Sequence, residues 1–479
     1  MAQPSGYYRP LLLVSLMFDR LVFGTGPAGH HLHSVAWHVA ASGSLLLLLR
    51  RLTNPVAALC GAALFALHPV QSEVVAWIAA RNDAMAATFA FLGVLVLLDE
   101  QVGWRRAAAG GALVLLAMLS KESALLAPGL LLLVDLARRG RPVGPRRYLA
   151  AAAAVGVWFS LRTVAGVGST ALPDPARLEF LLSRSHHVIA FYGLRIVAPW
   201  PLSIGPTLEY LELAPAALGA GLAVALLVPV VLVWRGGRLA AVGVVLAVIA
   251  LAPAVLAIGL RGQLGERYLY LPLAGLALAV AATIPNDRRA LVPLLPLGLL
   301  SMLALHHRIP EWVSDVSLWG AAVEDHPQPN TWTGLGFALV DADRAEEAAP
   351  LFLAAIDHDK PDPHACIPAM RSALRTGDFE GAERAARVSG ERCARSAKLD
   401  SLRGIVFAQV GAFGDASGAV ENLELTDDQW VPLVRAVVLL DSGGNPSAIA
   451  ALEEDPEAFL TDAREVVEHG RSYRDRVGP

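Results

Sequence analysis

The chain has 479 residues, of which 55% are hydrophobic and only 17% charged, with a mean hydropathy of +0.49. A soluble domain carries about a quarter charged residues, so an ordinary globular enzyme is excluded and a membrane protein is the expectation. The net charge of −4 conceals two regions: Met1–Pro310 holds 24 Lys+Arg against 13 Asp+Glu, and Glu311–Pro479 holds 15 against 30.

Apolar runs able to cross a bilayer as helices fall near 32–50, 55–70, 83–99, 106–119, 122–137, 148–165, 214–234, 239–259, 268–284 and 290–305. The expected fold class is therefore all-α: a polytopic helical domain of about ten spans, residues 1–310, followed by a helical repeat domain, residues 311–479. Arg50-Arg51, Arg105-Arg106, the cluster from Arg138 to Arg147, Arg235/Arg238 and Arg288-Arg289 occupy alternate connectors. The positive-inside rule makes that side cytoplasmic. The island Leu67–Ala87, Lys121-Glu122, residues 166–213 and the acidic tail then face out. Arg184–Pro206 is too polar for a span and reads as an amphipathic helix at the interface. Residues 10–23 are apolar but interrupted by Asp19 and Arg20, with no cleavage-site pattern, which argues against a signal peptide. On this orientation the chain begins outside; either its first helix inserts with the N-terminus out or a further span precedes it. Only three residues are Lys, and the wealth of Arg, Ala, Gly and Pro points to a GC-rich genome. A bacterial inner membrane is the expected location.

The tail has a period of 34. Asp343, Gly377 and Gly411 keep it, as do Ala348, Ala382 and Ala416, five residues later. Trp332, Leu335, Gly336, Ala348 and Phe352 fit the tetratricopeptide pattern, with units near 329–362, 363–396 and 397–430 and a degenerate one at 431–465. Such arrays hold peptides or proteins on a concave face; the plain alternative is a spacer or dimerisation module. Cys366 and Cys393 can pair only outside the cytoplasm, and buried free thiols are the preferred reading.

Ionisable groups at membrane depth are costly and normally face one another or a wet cavity. Glu73, Arg81, Asp83, Lys121, Glu122, Glu266 and Arg267 all sit at outer ends of spans. That pattern suits a cavity in which cations hold a phosphate and a carboxylate takes a proton from a hydroxyl. The plain alternative is a set of ion pairs that anchor helix ends. His30, His31 and His33 are too close in sequence to share one helix face, and no Cys or carboxylate accompanies them. Interfacial hydrogen bonding is preferred to a metal site, and no metal ligand is assigned. No phosphate-cradling glycine loop and no nucleic-acid patch is present.

The strings "YYRPLLLVS", "GHHLHSVAWHVAASGSLLLLLRRL", "ALFALHPVQSEVVAWIAARNDAMAATFAFL", "LSKESALLAPGLLLLVDL" and "GERYLYLPLAGLAL" occur in this order. Together with the repeat tail they resemble the transmembrane and tetratricopeptide-repeat-containing family of GT-C glycosyltransferases, which are similar to protein O-mannosyltransferases. The resemblance implies an enzyme that moves a sugar, typically mannose, from a polyprenyl-phosphate donor to a Ser/Thr hydroxyl at the extracytoplasmic face, with no tightly bound cofactor. It places Lys121, Arg267, Arg81 and Arg9 at the donor phosphate. Glu73, Asp83, His68, His31, Glu122, Glu266 and Tyr268 then belong to the sugar or acceptor pocket. The family carries its catalytic carboxylates upstream of the "YRPL" string, where this chain has six residues; Asp19 is a weak substitute. The resemblance therefore implies either a longer natural chain or a non-catalytic relative, a membrane-anchored scaffold that displays its repeats to protein partners.

Overall fold

A computed structural model describes residues 7–167, 175–199, 202–424, 431–442 and 456–477. Among these the chain is helical, apart from one isolated β-bridge between Thr207 and Gln263. It divides into two compact units, Met1–Trp312 and Val313–Pro479.

The first unit contains α1 (Pro10–Phe23), α2 (Pro27–Leu52), α3 (Pro55–Leu67), α4 (Ser72–Ala76), α5 (Arg81–Leu97) and α6 (Trp104–Ser120). It continues with α7 (Ala127–Arg139), α8 (Pro145–Val164), α9 (Pro175–Val197), α10 (Pro215–Arg261), α11 (Tyr270–Thr283) and α12 (Leu294–Arg308). Proline opens α1, α2, α3, α8 and α10, where its missing N–H costs no hydrogen bond and its fixed φ suits the first turn. Among the described residues, four helical stretches are long and apolar enough to cross a membrane: Pro27–Leu52, Ile78–Leu97, Pro215–Val255 and Arg288–Val313. A fifth would be Pro55–Leu67 with Pro69–Ala76, bent by 52° at His68. The expected count of about ten is therefore reached only by including the shorter or more polar helices α6, α7, α8 and α11 and by counting the two halves of the Pro215–Val255 stretch separately. Large apolar side chains such as Leu226, Val230, Trp234, Leu295, Leu299 and Met302 point away from the protein. Such a surface suits lipid rather than water.

The runs expected at 214–234 and 239–259 form one 47-residue helix, α10, broken at Gly237 (φ 61°). A straight helix of that length would extend about 70 Å. Yet Leu208, seven residues before its start, donates to the carbonyl of Gly262, just past its end, at 2.6 Å. Such a short connector reaches at most about 25 Å, so α10 folds back at Gly237. Its second half lies against α11 through Gly243 and Gly275; a Cβ on either would come within 2.6 Å of the other's carbonyl oxygen.

The arginine-bearing connectors gather at one end. Asp99 pairs with Arg51 and with Arg106, Arg139 pairs with Glu100 at 2.5 Å, and Asn54 donates to the Ile284 carbonyl at 2.9 Å. Arg147 is fully buried there, on Asp135 and on the Leu97 and Leu98 carbonyls. At the other end lie the 67–83 island, Lys121-Glu122 and residues 262–268. Both ends of α9 are tied to that second end. Arg177 and Arg184 pair with Glu209 and Glu212, the Tyr192 hydroxyl donates to the Gly265 carbonyl at 3.2 Å, and His68 Nε2 donates to the Ile196 carbonyl at 2.9 Å. A helix anchored at one end of a bundle through both of its own ends does not traverse it.

The second unit contains α13 (Asp315–Asp325), α14 (Pro329–Asp341), α15 (Ala345–Asp357), α16 (Cys366–Thr376), α17 (Phe379–Arg392), α18 (Ala397–Gln409), α19 (Phe413–Val420), α20 (Val431–Asp441) and a C-terminal helix, Pro456–Val477. Asp343, Gly377 and Gly411, the residues spaced by 34, sit between paired helices and all have positive φ, 58°, 73° and 72°. Ala348, Ala382 and Ala416 are completely buried, and Gly336 admits the Phe352 ring where a Cβ would lie 2.7 Å from it. Trp332 and Leu335 are half-buried against the same core. These pairs make a helical repeat region. Of the degenerate unit expected at 431–465, residues 431–441 belong to α20 and 456–465 to the start of the C-terminal helix, and 443–455, Ala448 among them, lie outside the described residues. The reading of Cys366 and Cys393 as free thiols is corrected: they form a disulfide joining the start of α16 to the residue after α17. Sequence separation alone gave no hint that a helical hairpin brings these two ends together.

Candidate functional site

The island is a broken run of short helical turns. α3 stops at His68, whose Nδ1 accepts from the Val70 amide, and Pro69 opens a 3-10 turn that leads into α4. After Trp77 a second 3-10 turn, Ile78–Ala80, delivers the chain to α5. These breaks put Glu73, Trp77, Arg81 and Asp83 on different sides of one small knot of chain. A continuous helix would have strung them along a cylinder.

A cavity of about 650 Å³ opens at this end of the unit. Of the residues expected at a donor or acceptor site, Arg9, Asp83, Lys121, Glu122, Arg267 and Tyr268 line it. Each of three cations meets a carboxylate. Lys121 donates to Asp83 Oδ2 at 2.5 Å, Arg9 Nε to Glu122 Oε2 at 2.9 Å, and Arg267 Nη1 to Glu73 Oε1. Glu122 also accepts from the Tyr8 amide at 3.2 Å, so it holds the segment before α1 along the rim. Burial, with the nearby positive charges of Arg9 and Arg267, brings the Lys121 ammonium below the usual lysine range, and Asp83 opposes the shift. Burial alone would also lower the Arg267 guanidinium, but the Glu73 carboxylate outweighs it and holds that group above the usual arginine range.

The remaining expected residues stand elsewhere. Glu73 is 1% exposed and sits behind Arg267 rather than on the cavity surface. Arg81, expected at a phosphate, is fully buried on Asp19, Ser15, Ser34 and the His30 carbonyl and does not line the cavity. Asp19 is equally enclosed by Arg81, His30 and His33. Glu266 accepts from the Ser203 amide at 2.7 Å and from Arg308 at 3.5 Å. His68 is buried in the hinge after α3, its Nε2 on the Ile196 carbonyl. His31 is half-buried on α2, outside the lining.

Several lining residues escaped the sequence reading. Trp77 and Asn82 stand in the polar island, but no role was attached to them. Arg162, at the end of α8, had the signal used for the others, a charge at a span terminus. The lining also includes Trp158 and Phe159 of α8 and Ala250, Pro253, Ala254 and Ala257 of α10. Nothing in a run of small and aromatic residues distinguishes a cavity wall from ordinary helix packing.

The first unit is thus a helical membrane domain with a cavity lined by both charged and apolar side chains. No protein-family model matches the chain, and no solved structure does. Two curated proteins of Drosophila melanogaster are similar to part of it. Protein O-mannosyl-transferase Tmtc1 is 33% identical over 142 residues, 29% of this chain and 16% of that protein. Protein O-mannosyl-transferase Tmtc2 is 33% identical over 144 residues, 28% of this chain and 15% of that protein. The matched stretch spans about a sixth of either relative's length.

Proposed function

We propose that this chain is a membrane glycosyltransferase that moves a sugar, mannose by its likeness to the two relatives, from a polyprenyl-phosphate donor to a protein Ser/Thr hydroxyl. The observation that carries this reading is the mixed lining of the cavity, charged and apolar. Arg9, Lys121 and Arg267 present donors for an anionic head, while Trp158, Phe159 and the alanine wall of α10 offer apolar surface for what is attached to it. Phosphate binding by fixed cations in a partly dehydrated site favours the charge that grows on the leaving group as the sugar departs. In the transfer the acceptor oxygen bonds to the sugar's anomeric carbon, and the bond from that carbon to the phosphate oxygen breaks. The electron pair leaves with the lipid phosphate, held by Lys121 and Arg267. On this reading Asp83, a lining carboxylate that Lys121 engages through Oδ2, takes the acceptor hydroxyl's hydrogen bond or proton.

The second unit, on this reading, is a tetratricopeptide array that presents protein acceptors. Two features support an extracytoplasmic place for it. The arginine connectors gather at the end away from the cavity, and Cys366–Cys393 is a bond that persists in oxidising compartments.

The test is transfer from polyprenyl-phospho-mannose to a Ser/Thr-containing protein by the full-length protein purified from its native gene. Transfer that Lys121→Ala abolishes is expected. No transfer from that protein, with the repeats still capturing partners, would replace the enzyme by a membrane-anchored scaffold.

A further inference from the structure

We propose that Glu73 is the positioning residue for Arg267, holding that guanidinium against the cavity before any ligand arrives. The inference rests on the reading of the cavity as an anion site.

Glu73 grips Arg267 at two points. Its Oε2 accepts the Arg267 backbone amide at 2.8 Å, and its Oε1 accepts Nη1 of the same residue's side chain. One carboxylate therefore fixes both where the main chain of residue 267 lies and where its side chain ends. Two rings complete the seat. The guanidinium carbon lies 4.9 Å from the centre of the Trp77 ring and 4.8 Å from that of Tyr268, within the range of cation–π attraction. Trp77 caps the short helix that carries Glu73, one turn on, and its amide donates to the Glu73 carbonyl at 2.9 Å. A single turn of chain thus supplies the carboxylate and one of the two walls.

The division of exposure separates the roles. The Glu73 side chain is 1% exposed and absent from the cavity surface, whereas the Arg267 side chain is 20% exposed and lines it. A carboxylate so placed cannot touch a donor or an acceptor; it acts through the arginine. An arginine whose fork is already oriented loses less freedom when it binds a phosphate oxygen. Asp83 is the contrasting case, since it pairs with Lys121 and also faces the cavity itself.

The experiment is a double-mutant cycle on full-length protein in detergent, with polyprenyl monophosphate as the probe. Glu73→Gln keeps the shape and removes the charge. It should weaken polyprenyl phosphate binding by about tenfold, the effect of losing one charge-assisted hydrogen bond. Arg267→Ala should weaken it at least as much, and the double variant should match Arg267→Ala alone. Glu73→Asp, which retains the charge, should recover part of the loss. Additive losses, or unchanged affinity in Glu73→Gln, would overturn the proposal.

A second readout needs no ligand. An arginine-selective dicarbonyl reagent, followed by peptide mass spectrometry, should modify Arg267 several-fold faster in Glu73→Gln than in the native protein, because release of the guanidinium exposes it. An unchanged rate at Arg267 refutes the clamp. Failure of the native protein to bind polyprenyl phosphate, with the modification rate still raised in Glu73→Gln, refutes the functional reading and leaves the clamp standing.

Discussion

Asp19 of α1 and Arg81 of α5, 62 residues apart in sequence, form an ion pair at 2.5 Å from which solvent is wholly excluded. Ser15, Ser34 and the His30 carbonyl take up further guanidinium donors, so the arginine is satisfied on several sides. α1 meets the rest of the unit through this polar face and turns Leu13, Met17 and Leu21 outward. That is the inverse of a helix on a soluble protein.

Removing one partner of a buried pair strands the other charge, a loss of roughly 3–5 kcal/mol. Arg81→Ala is therefore expected to lower the thermal midpoint in detergent sharply. Joint replacement by Asp19→Leu and Arg81→Met should cost clearly less. The effect should appear as lost fold rather than lost donor affinity, since Arg81 does not line the cavity. An Arg81→Ala protein that melts normally and fails only in donor binding would contradict this assignment.

Cys366 and Cys393 close a loop with a sequence separation of 27, which in the chain-entropy picture stabilises by about 3.5 kcal/mol. Peptide mapping without reduction should recover a linked fragment containing both cysteines. Cys366→Ser should lower the melting temperature of the second unit, and reductant should lower that of the native protein equally. Alkylation of both thiols in untreated protein would disprove the bond.

The all-α class, the alternation of basic connectors and the period of 34 could be read directly because each depends on repetition along the chain. Asp343, Gly377 and Gly411 were visible as turn residues before their shared positive φ was seen. The site was legible only as a set of candidates. Sequence placed Glu73, Arg81 and Asp83 at one end of the bundle, but not which of them faces inward. That depends on the bend at His68 and the break at Trp77, which offset the local register. The apolar wall from Trp158 to Ala257 was not legible, because its residues are ordinary helix-packing types brought together by the fold-back of α10.

Glu266 lies outside the spans and is almost fully buried. Burial pushes its carboxyl up to about 8, with Arg308 opposing and Glu73 reinforcing the shift; Arg195 and the Ser203 amide also lower it. The folded protein thus retains this proton where the unfolded chain, with a value near 4.5, has lost it. Between those two values the unfolded state binds fewer protons, so stability falls as pH rises. Thermal midpoints should decline from pH 5 towards pH 8, and Glu266→Gln should flatten that decline. An identical slope in the variant would place the titrating group elsewhere.

The three turns of the repeat region differ in what a side chain would meet. Asp343 holds a left-handed conformation that costs a residue with a Cβ about 1 kcal/mol, so Asp343→Gly should be neutral or slightly stabilising. Gly377→Ala should destabilise by about that same 1 kcal/mol, since nothing lies within 4 Å of the added Cβ and only the backbone conformation is strained. Gly411→Ala should be worse. Its Cβ would sit 2.4 Å from the Gly470 carbonyl oxygen, and backbone atoms on the C-terminal helix cannot swing aside as a flexible side chain would. Denaturant melts of the three variants should rank them in that order. Equal losses at 377 and 411 would mean that the C-terminal helix does not pack against the third turn.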